Sequence, residues 1–325
     1  MGEQALAIVF SKPRCAELRS YDRPEPLDDE ILTQTLYSGV SMGTERWALM
    51  GLRPDVSFPG IPGYQNVGKV IAVGKKVRQL RCGDVVMLSG FSRLPQGLHH
   101  ACGSSHASHL VAKAEHALKL DAKLNPAEAA LLWVAGCSLE GVTLTGIRPG
   151  DRVLVAGQGL IGQMSAQIAR SQGATVLAIE PDATRGKLAK RHSADKVVQP
   201  DALAAAVQKF APGGVDVAIE ATGQKALIDT LVQQLRPRGR FCFQGWYPDR
   251  VDFDYTQAHY REISMHFPCG WGGPKALKKT QKLLAHKQLA IKPLISHRLK
   301  PEQAPQLYQQ MLDGGVPAMG IVIGW

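Results

Sequence analysis

The stretch Val153-Leu-Val-Ala156-Gly157-Gln158-Gly159-Leu160-Ile161-Gly162-Gln-Met164-Ser-Ala-Gln-Ile168 decides the fold. Its first four residues are a short apolar run of the kind carried by a strand buried on both faces. Ile161, Met164 and Ile168 then recur at helical spacing. Between strand and helix lies Gly-x-Gly-x-x-Gly, in which each glycine has a task. Gly157 permits a tight turn, Gly159 lets backbone approach a pyrophosphate, and Gly162 lets the helix pack closely on the strand. Leu160 and Ile161 complete the loop at the helix N-terminus that would face the phosphates. Glu180 stands 18 residues past Gly162, after the strand-like run Thr175 to Ile179. A carboxylate there accepts the adenosine ribose hydroxyls and repels a 2′-phosphate, which favours NAD. Arg185 is the counterweight, since a guanidinium pairs with such a phosphate and admits NADP.

Outward from this unit, Ala183 to His192 reads as a helix. Lys196 to Val198, Val215 to Ile219 and Arg240 to Phe243 read as strands, with helical segments between them. Alternation of this kind predicts parallel pairing in a doubly wound sheet. Helices over Lys275 to His286 and Pro301 to Leu312, then a strand over Gly320 to Ile323, follow. Before Pro149 the rhythm differs. Ile31 to Tyr37, Val67 to Val73 and Val85 to Leu88 read as strands, punctuated by Pro59-Gly60, Pro62-Gly63 and Gly83-Asp84. In the first of them Thr33, Thr35 and Tyr37 share one face and Leu32 and Leu36 the other. No long amphipathic helix interrupts this part. The expected fold class is α/β, an all-β domain joined to a Rossmann domain.

The length of 325 residues fits two domains, at about 150 residues each. With 45% hydrophobic and 20% charged residues the composition is that of a globular chain. Lys and Arg number 38 against 28 Asp and Glu, a net +10. No block of five like charges occurs, and the densest stretch, Lys275 to Lys292, sets its lysines around Leu277, Leu283 and Leu284 as the solvated face of a helix. Neither a nucleic-acid-binding module nor an apolar stretch of about 20 residues is present. The six cysteines are scattered with no CxxC pair, which fits a reducing compartment. The expectation is a cytoplasmic protein with a small-molecule substrate and neither nucleic-acid nor membrane partners.

Several blocks, in chain order, resemble those of the medium-chain dehydrogenase/reductase superfamily. They are Ser38-Gly-Val-Ser41-Met-Gly-Thr44-Glu45, Pro62-Gly63-Tyr64-Gln65-Asn-Val-Gly68, Cys82-Gly83-Asp84-Val85-Val86, Ala218-Ile-Glu220-Ala-Thr222-Gly223 and Leu235-Arg-Pro-Arg-Gly239-Arg240. The resemblance implies a GroES-like catalytic domain over 1–122, a Rossmann domain over 123–267, and a segment over 268–325 that returns to the catalytic domain. It implies an NAD(P)-dependent oxidoreductase and leaves room for a homodimer. The first two blocks look most like the bacteriochlorophyllide dehydrogenase branch, which implies oxidation of a hydroxyethyl group on a chlorin with NAD.

The departures from the family pattern bear on the chemistry. Ser41 stands at the position of a zinc-binding Cys, Tyr64 at that of a His and Gln65 at that of a Glu. Cys137 lies near the third ligand position, but a catalytic zinc needs three protein ligands. The structural-zinc lobe of four cysteines is absent, so the chain reads as a zinc-free branch. His99, His100, Cys102, His106 and His109 have ligand chemistry but fit no zinc module, and they read as a polar loop that binds water. By resemblance Tyr64 becomes the oxyanion donor or a mere filler of the lost metal's space. Thr44 becomes the proton relay, Ser41 a second donor, and Glu45 an anchor or a partner of Arg46. Thr222, Gly245 and Trp246 fall on the nicotinamide side. Trp47, Trp133, Trp246 and Trp271 are aromatic candidates for a cleft that takes a flat or bulky substrate. The leading expectation is zinc-independent hydride transfer between NAD and a secondary alcohol or ketone. The alternatives are a quinone or enoyl reductase using NAD(P)H, and a cofactor-binding protein without turnover.

Overall fold

Turns at glycine and proline set the order of elements, and the computed structural model describes residues 3–314 and 318–325. The chain begins with β1 (Gln4–Lys12), β2 (Cys15–Asp22), β3 (Glu30–Val40), α1 (Met42–Leu49), β4 (Gly60–Pro62), β5 (Asn66–Val73), β6 (Val85–Leu88), β7 (His99–Ala101), β8 (His109–Lys113), β9 (Leu118–Lys119) and α2 (Pro126–Ala129). There follow α3 (Leu132–Leu144), β10 (Arg152–Ala156), α4 (Leu160–Ser171), β11 (Thr175–Ile179), α5 (Ala183–His192), β12 (Lys196–Val198), α6 (Leu203–Phe210), β13 (Val215–Glu220) and α7 (Ile228–Gln233). Next come β14 (Leu235–Phe243), α8 (Tyr255–Tyr260), β15 (Ser264–His266), α9 (Gly273–Ala285), β16 (Ile295–Leu299), α10 (Ala304–Leu312) and β17 (Gly320–Gly324). Two units result: one up to Trp133 and again from Leu294, the other Val134–Pro293. Residues 268–293 thus stay in the second unit, and the return to the first begins at Leu294 rather than at 268.

The second unit is a six-stranded parallel sheet in the order β12-β11-β10-β13-β14-β15. The order reverses at β10/β13, the point where an open α/β sheet leaves a crevice at its carboxyl edge. Val153, Leu154, Val155 and Ala156 have no exposed surface, so the apolar run of β10 is buried on both faces as parallel pairing demands. Asp182 begins α5 by accepting the Arg185 N–H at 2.7 Å. The helix α3 escapes the periodicity argument for a physical reason. Its sequence LWVAGCSLEGVTL is apolar nearly all round, which leaves no stripe to detect.

In the first unit, β2-β1-β4-β7 form one sheet, and β16-β17-β3-β5-β6-β9 another, with β8 also on β3. The long strand β3 carries β8 on its first half and β17 on its last residues, Tyr37–Val40. Both faces of β3 are covered. Thr33 and Thr35 are buried and donate to the carbonyls of Leu110 (3.4 Å) and Ala107 (2.5 Å). The helix α1 is only eight residues long and leaves directly from β3. That exit is tight, because a Cβ on Gly39 would lie 2.4 Å from the carbonyl oxygen of Ala130 and 2.9 Å from Leu131 Cδ2.

These contacts make a paired prediction. Gly39→Ala should destabilise the first unit by about 1–3 kcal/mol, the usual cost of overpacking against backbone. Gly43→Ala, whose Cβ meets nothing within 4 Å, should be neutral or slightly stabilising because it removes a helical glycine. Scanning calorimetry of the two variants beside the parent chain checks both signs.

Candidate active site

At the carboxyl edge of the parallel sheet the turn after β10 adopts the shape its glycines permit. Gly157 sits at φ +85°, a conformation that favours glycine. A Cβ on Gly162 would stand 1.9 Å from the Gly157 carbonyl oxygen, whereas one on Gly159 would meet nothing within 4 Å. Gly159 precedes the first turn of α4 with no side-chain cap, so Leu160 and Ile161 lie at a helix N-terminus with N–H groups available to an anion. Glu180, 4% exposed, accepts the Gln158 N–H at 2.7 Å and the Asp182 N–H at 2.9 Å, one on each oxygen. Arg185 follows in the first turn of α5.

A second carboxylate works beside it. Glu220 ends β13 with no exposed surface. It accepts the N–H of Thr222 at 2.6 Å and that of Gly223 at 3.1 Å, together with the hydroxyls of Thr222 and Tyr247. Gly245 donates its N–H to the Glu220 carbonyl at 2.8 Å, and Trp246, 43% exposed, follows. A Cβ on Gly157 would lie 2.6 Å from Thr222 Cγ2, so Gly157, Gly162, Glu180, Thr222 and Gly245 belong to one rim. Glu220 and Tyr247 are the residues that sequence reasoning left without a role. A carboxylate two residues before a Thr-Gly turn was the available signal.

In the first unit Ser41 precedes α1, and the Tyr64 hydroxyl donates to its Oγ at 2.8 Å. Both side chains are half-buried, as is Thr44 in the first turn. Glu45 is fully buried and does not hydrogen-bond to Arg46. It accepts the Ser41 N–H at 2.7 Å, meets His106 Nε2 at 3.0 Å, and takes the hydroxyl of Tyr308. Burial, then the Glu45 charge, hold the Tyr308 phenol well above its ordinary pKa, so it remains a donor. His106 Nδ1 meets Ser38 Oγ at 2.8 Å, and Trp325 Nε1 donates to the same oxygen at 2.9 Å. The expectation of a water-binding polar loop is therefore wrong for His106. Gly63, at φ +88°, gives the ring its space, since a Cβ there would touch it at 2.5 Å. His99 and His100 are exposed on β7, and His109 is half-buried with its pKa lowered by burial.

Among the described residues no group of three or more His, Cys, Asp or Glu could hold a metal ion. Ser41 and Tyr64 offer hydroxyls, and buried Gln65 gives its amide to the Gly39 carbonyl at 3.2 Å. Cys137 is half-buried, and its surroundings push the thiol up to about 12. Of the tryptophans, Trp133 is 2% exposed and belongs to the core, so it is no cleft residue.

Two families match the chain in order: the alcohol dehydrogenase GroES-like domain over 28–122 and the zinc-binding dehydrogenase family over 161–286. The chain is an NAD(P)-dependent oxidoreductase of the medium-chain dehydrogenase/reductase superfamily. It is 27% identical to the L-threonine 3-dehydrogenase of Pyrococcus furiosus, over 92% of this chain and 93% of that protein. It is 26% identical to the 2-desacetyl-2-hydroxyethyl bacteriochlorophyllide A dehydrogenase of Cereibacter sphaeroides, over 93% and 92%. Its fold superposes on a Sinorhizobium meliloti protein bound to NADP with a TM-score of 0.86 at 24% identity, over 99% and 100% of the two chains.

For this dehydrogenase/reductase the glycine turn yields a test that separates folding from binding. Gly162→Val should open the strand–helix turn, lowering the melting temperature and weakening NADH binding by ~10-fold or more, about 1.4 kcal/mol. Gly159→Ala should melt like the parent chain yet bind NADH more weakly, because its Cβ obstructs only a ligand. Fluorescence titration with NADH, run beside melting curves, reads both.

Proposed function

We propose that this chain moves hydride between NAD and a secondary alcohol or ketone without zinc, on a bulky substrate. The observation that carries the reading is the 2.8 Å hydrogen bond from the Tyr64 hydroxyl to Ser41 Oγ, at the two positions where zinc-dependent relatives by resemblance carry metal donors. Two coupled hydroxyls can pass a proton between each other and a substrate oxygen, and either hydroxyl rotates to suit. Ser41 and Tyr64 therefore hold the proton that leaves the alcohol oxygen, or stabilise the oxyanion of the ketone in the reverse direction. Thr44 relays that proton onward. NAD supplies the hydride acceptor when bound. Gly157, Gly159, Leu160, Ile161 and Gly162 would receive its pyrophosphate, and Glu180 its adenosine ribose. Thr222, Gly245 and Trp246 would border its other half. Glu180 supports NAD over NADP: each oxygen already accepts one backbone N–H, which fixes the carboxylate and leaves lone pairs for ribose hydroxyls. Trp246, with 43% of its surface exposed, supports a flat or bulky substrate.

Tyr64→Phe and Thr44→Val should each lower kcat by about 10²-fold, with NADH affinity and melting temperature little changed. The same preparations should carry well under one zinc per chain by elemental analysis. Full activity in both variants on a verified substrate, or one tightly bound zinc lost together with activity, would overturn the mechanism.

Cofactor choice has its own test. NAD(H) should bind at least ~10-fold tighter than NADP(H), and Glu180→Ser should narrow or reverse the gap as Arg185 meets the phosphate. A parent chain that prefers NADPH would point instead to quinone or enoyl reduction.

A further inference from the structure

We propose that Glu220 is a positioning residue for the nicotinamide half of the dinucleotide, acting through the two loops it ties together. The inference rests on the dinucleotide reading above. Glu220 stands where the chain leaves β13, and it is fully buried. Its carboxylate collects the N–H of Thr222 at 2.6 Å, the N–H of Gly223 at 3.1 Å to each oxygen, and the hydroxyls of Thr222 and Tyr247. Its carbonyl collects the N–H groups of Gln244 at 2.9 Å and Gly245 at 2.8 Å. One residue thus holds both the loop after β13 and the loop after β14.

The fit around it is close. A Cβ on Gly245 would lie 2.6 Å from Glu220 Oε2, and one on Gly223 would lie 2.9 Å from the Trp246 carbonyl oxygen. Four donors converge on the carboxylate, which suits a group that only accepts. An amide of the same shape has one acceptor oxygen and would turn an NH₂ toward donors. Burial, then the bond to Glu220 and its charge, push the Tyr247 phenol above its ordinary pKa and keep it a donor.

The strand order assigns the half. A doubly wound sheet consists of two mononucleotide-binding halves that meet at the switch point. Here β12-β11-β10, with the glycine turn and Glu180, form one half, and β13-β14-β15 the other. Glu180 serves the adenosine ribose, so the loops that Glu220 ties border the nicotinamide side. A residue that only held the fold together would act differently. Because Thr222 Cγ2 packs against Gly157, general loosening would disturb both halves.

The test measures dissociation constants of NADH and of ADP-ribose, which lacks the nicotinamide, on the full chain and its variants. Glu220→Gln should weaken NADH by ~10-fold or more and leave ADP-ribose within about 2-fold. Tyr247→Phe should shift NADH in the same direction by less, and the double variant should be no weaker than Glu220→Gln. Should Glu220→Gln fail to fold, Tyr247→Phe carries the same comparison, since it removes one donor and no charge. Equal weakening of both ligands, or no change in either, would overturn the proposal. A parent chain that binds neither ligand would overturn the dinucleotide reading itself.

Discussion

A turn that is drawn into the interior leaves backbone N–H groups out of reach of water, and each such group left unmet costs about 1–3 kcal/mol. This chain meets the constraint with glutamates. Among the described residues the buried acidic side chains are Glu30, Glu45, Glu180 and Glu220, and each accepts backbone N–H groups from a turn. Glu30 takes that of Leu27, Glu45 that of Ser41, Glu180 those of Gln158 and Asp182, and Glu220 those of Thr222 and Gly223. The short tight turns at the candidate site are possible because a carboxylate, with two acceptor oxygens, gathers more donors than a single amide or hydroxyl oxygen does.

The four differ in what compensates their charge. Glu30 is bonded to the Arg93 guanidinium and the Ser92 hydroxyl. Burial alone would raise its pKa, but those bonds and the Leu27 N–H outweigh it and hold the carboxyl below its ordinary value. That arrangement is a structural ion pair. Glu180 accepts backbone N–H groups, and Glu220 accepts backbone N–H groups and hydroxyls. A carboxylate held by backbone N–H groups and hydroxyls adds negative potential to its surroundings.

Much of this was legible in the residues because local signals agreed with the fold. The apolar run of β10, the glycines that follow and the 18-residue step to Glu180 specify a strand, a turn and a helix that tertiary packing leaves intact. The runs β11, α5 and β12 likewise follow from periodicity. What stayed hidden depends on contacts far apart in the chain. His106 stands among four other ligand-type residues, and nothing local separates it from exposed His99 and His100. Its side-chain partners reach it from far along the chain, Ser38 from 68 residues before it and Glu45 from 61. The helix α3 was hidden for the opposite reason, since burial on nearly every side erases periodicity.

The same network divides reactive groups from positioning ones. Ser38, His106 and Glu45 stand at 2.8 and 3.0 Å in the order of an acyl-transfer triad, yet all three are fully buried, so no substrate meets the serine. Trp325 Nε1 only donates, so Ser38 Oγ accepts from it and keeps its own hydrogen and a second lone pair for the 2.8 Å contact with His106 Nδ1. The other ring nitrogen, Nε2, meets a Glu45 carboxylate oxygen at 3.0 Å. Glu45 uses its other oxygen on the Ser41 N–H, which fixes the residue whose hydroxyl meets Tyr64. The interior of the first unit thus ends in a backbone anchor, beyond which stands the half-buried Ser41–Tyr64 pair.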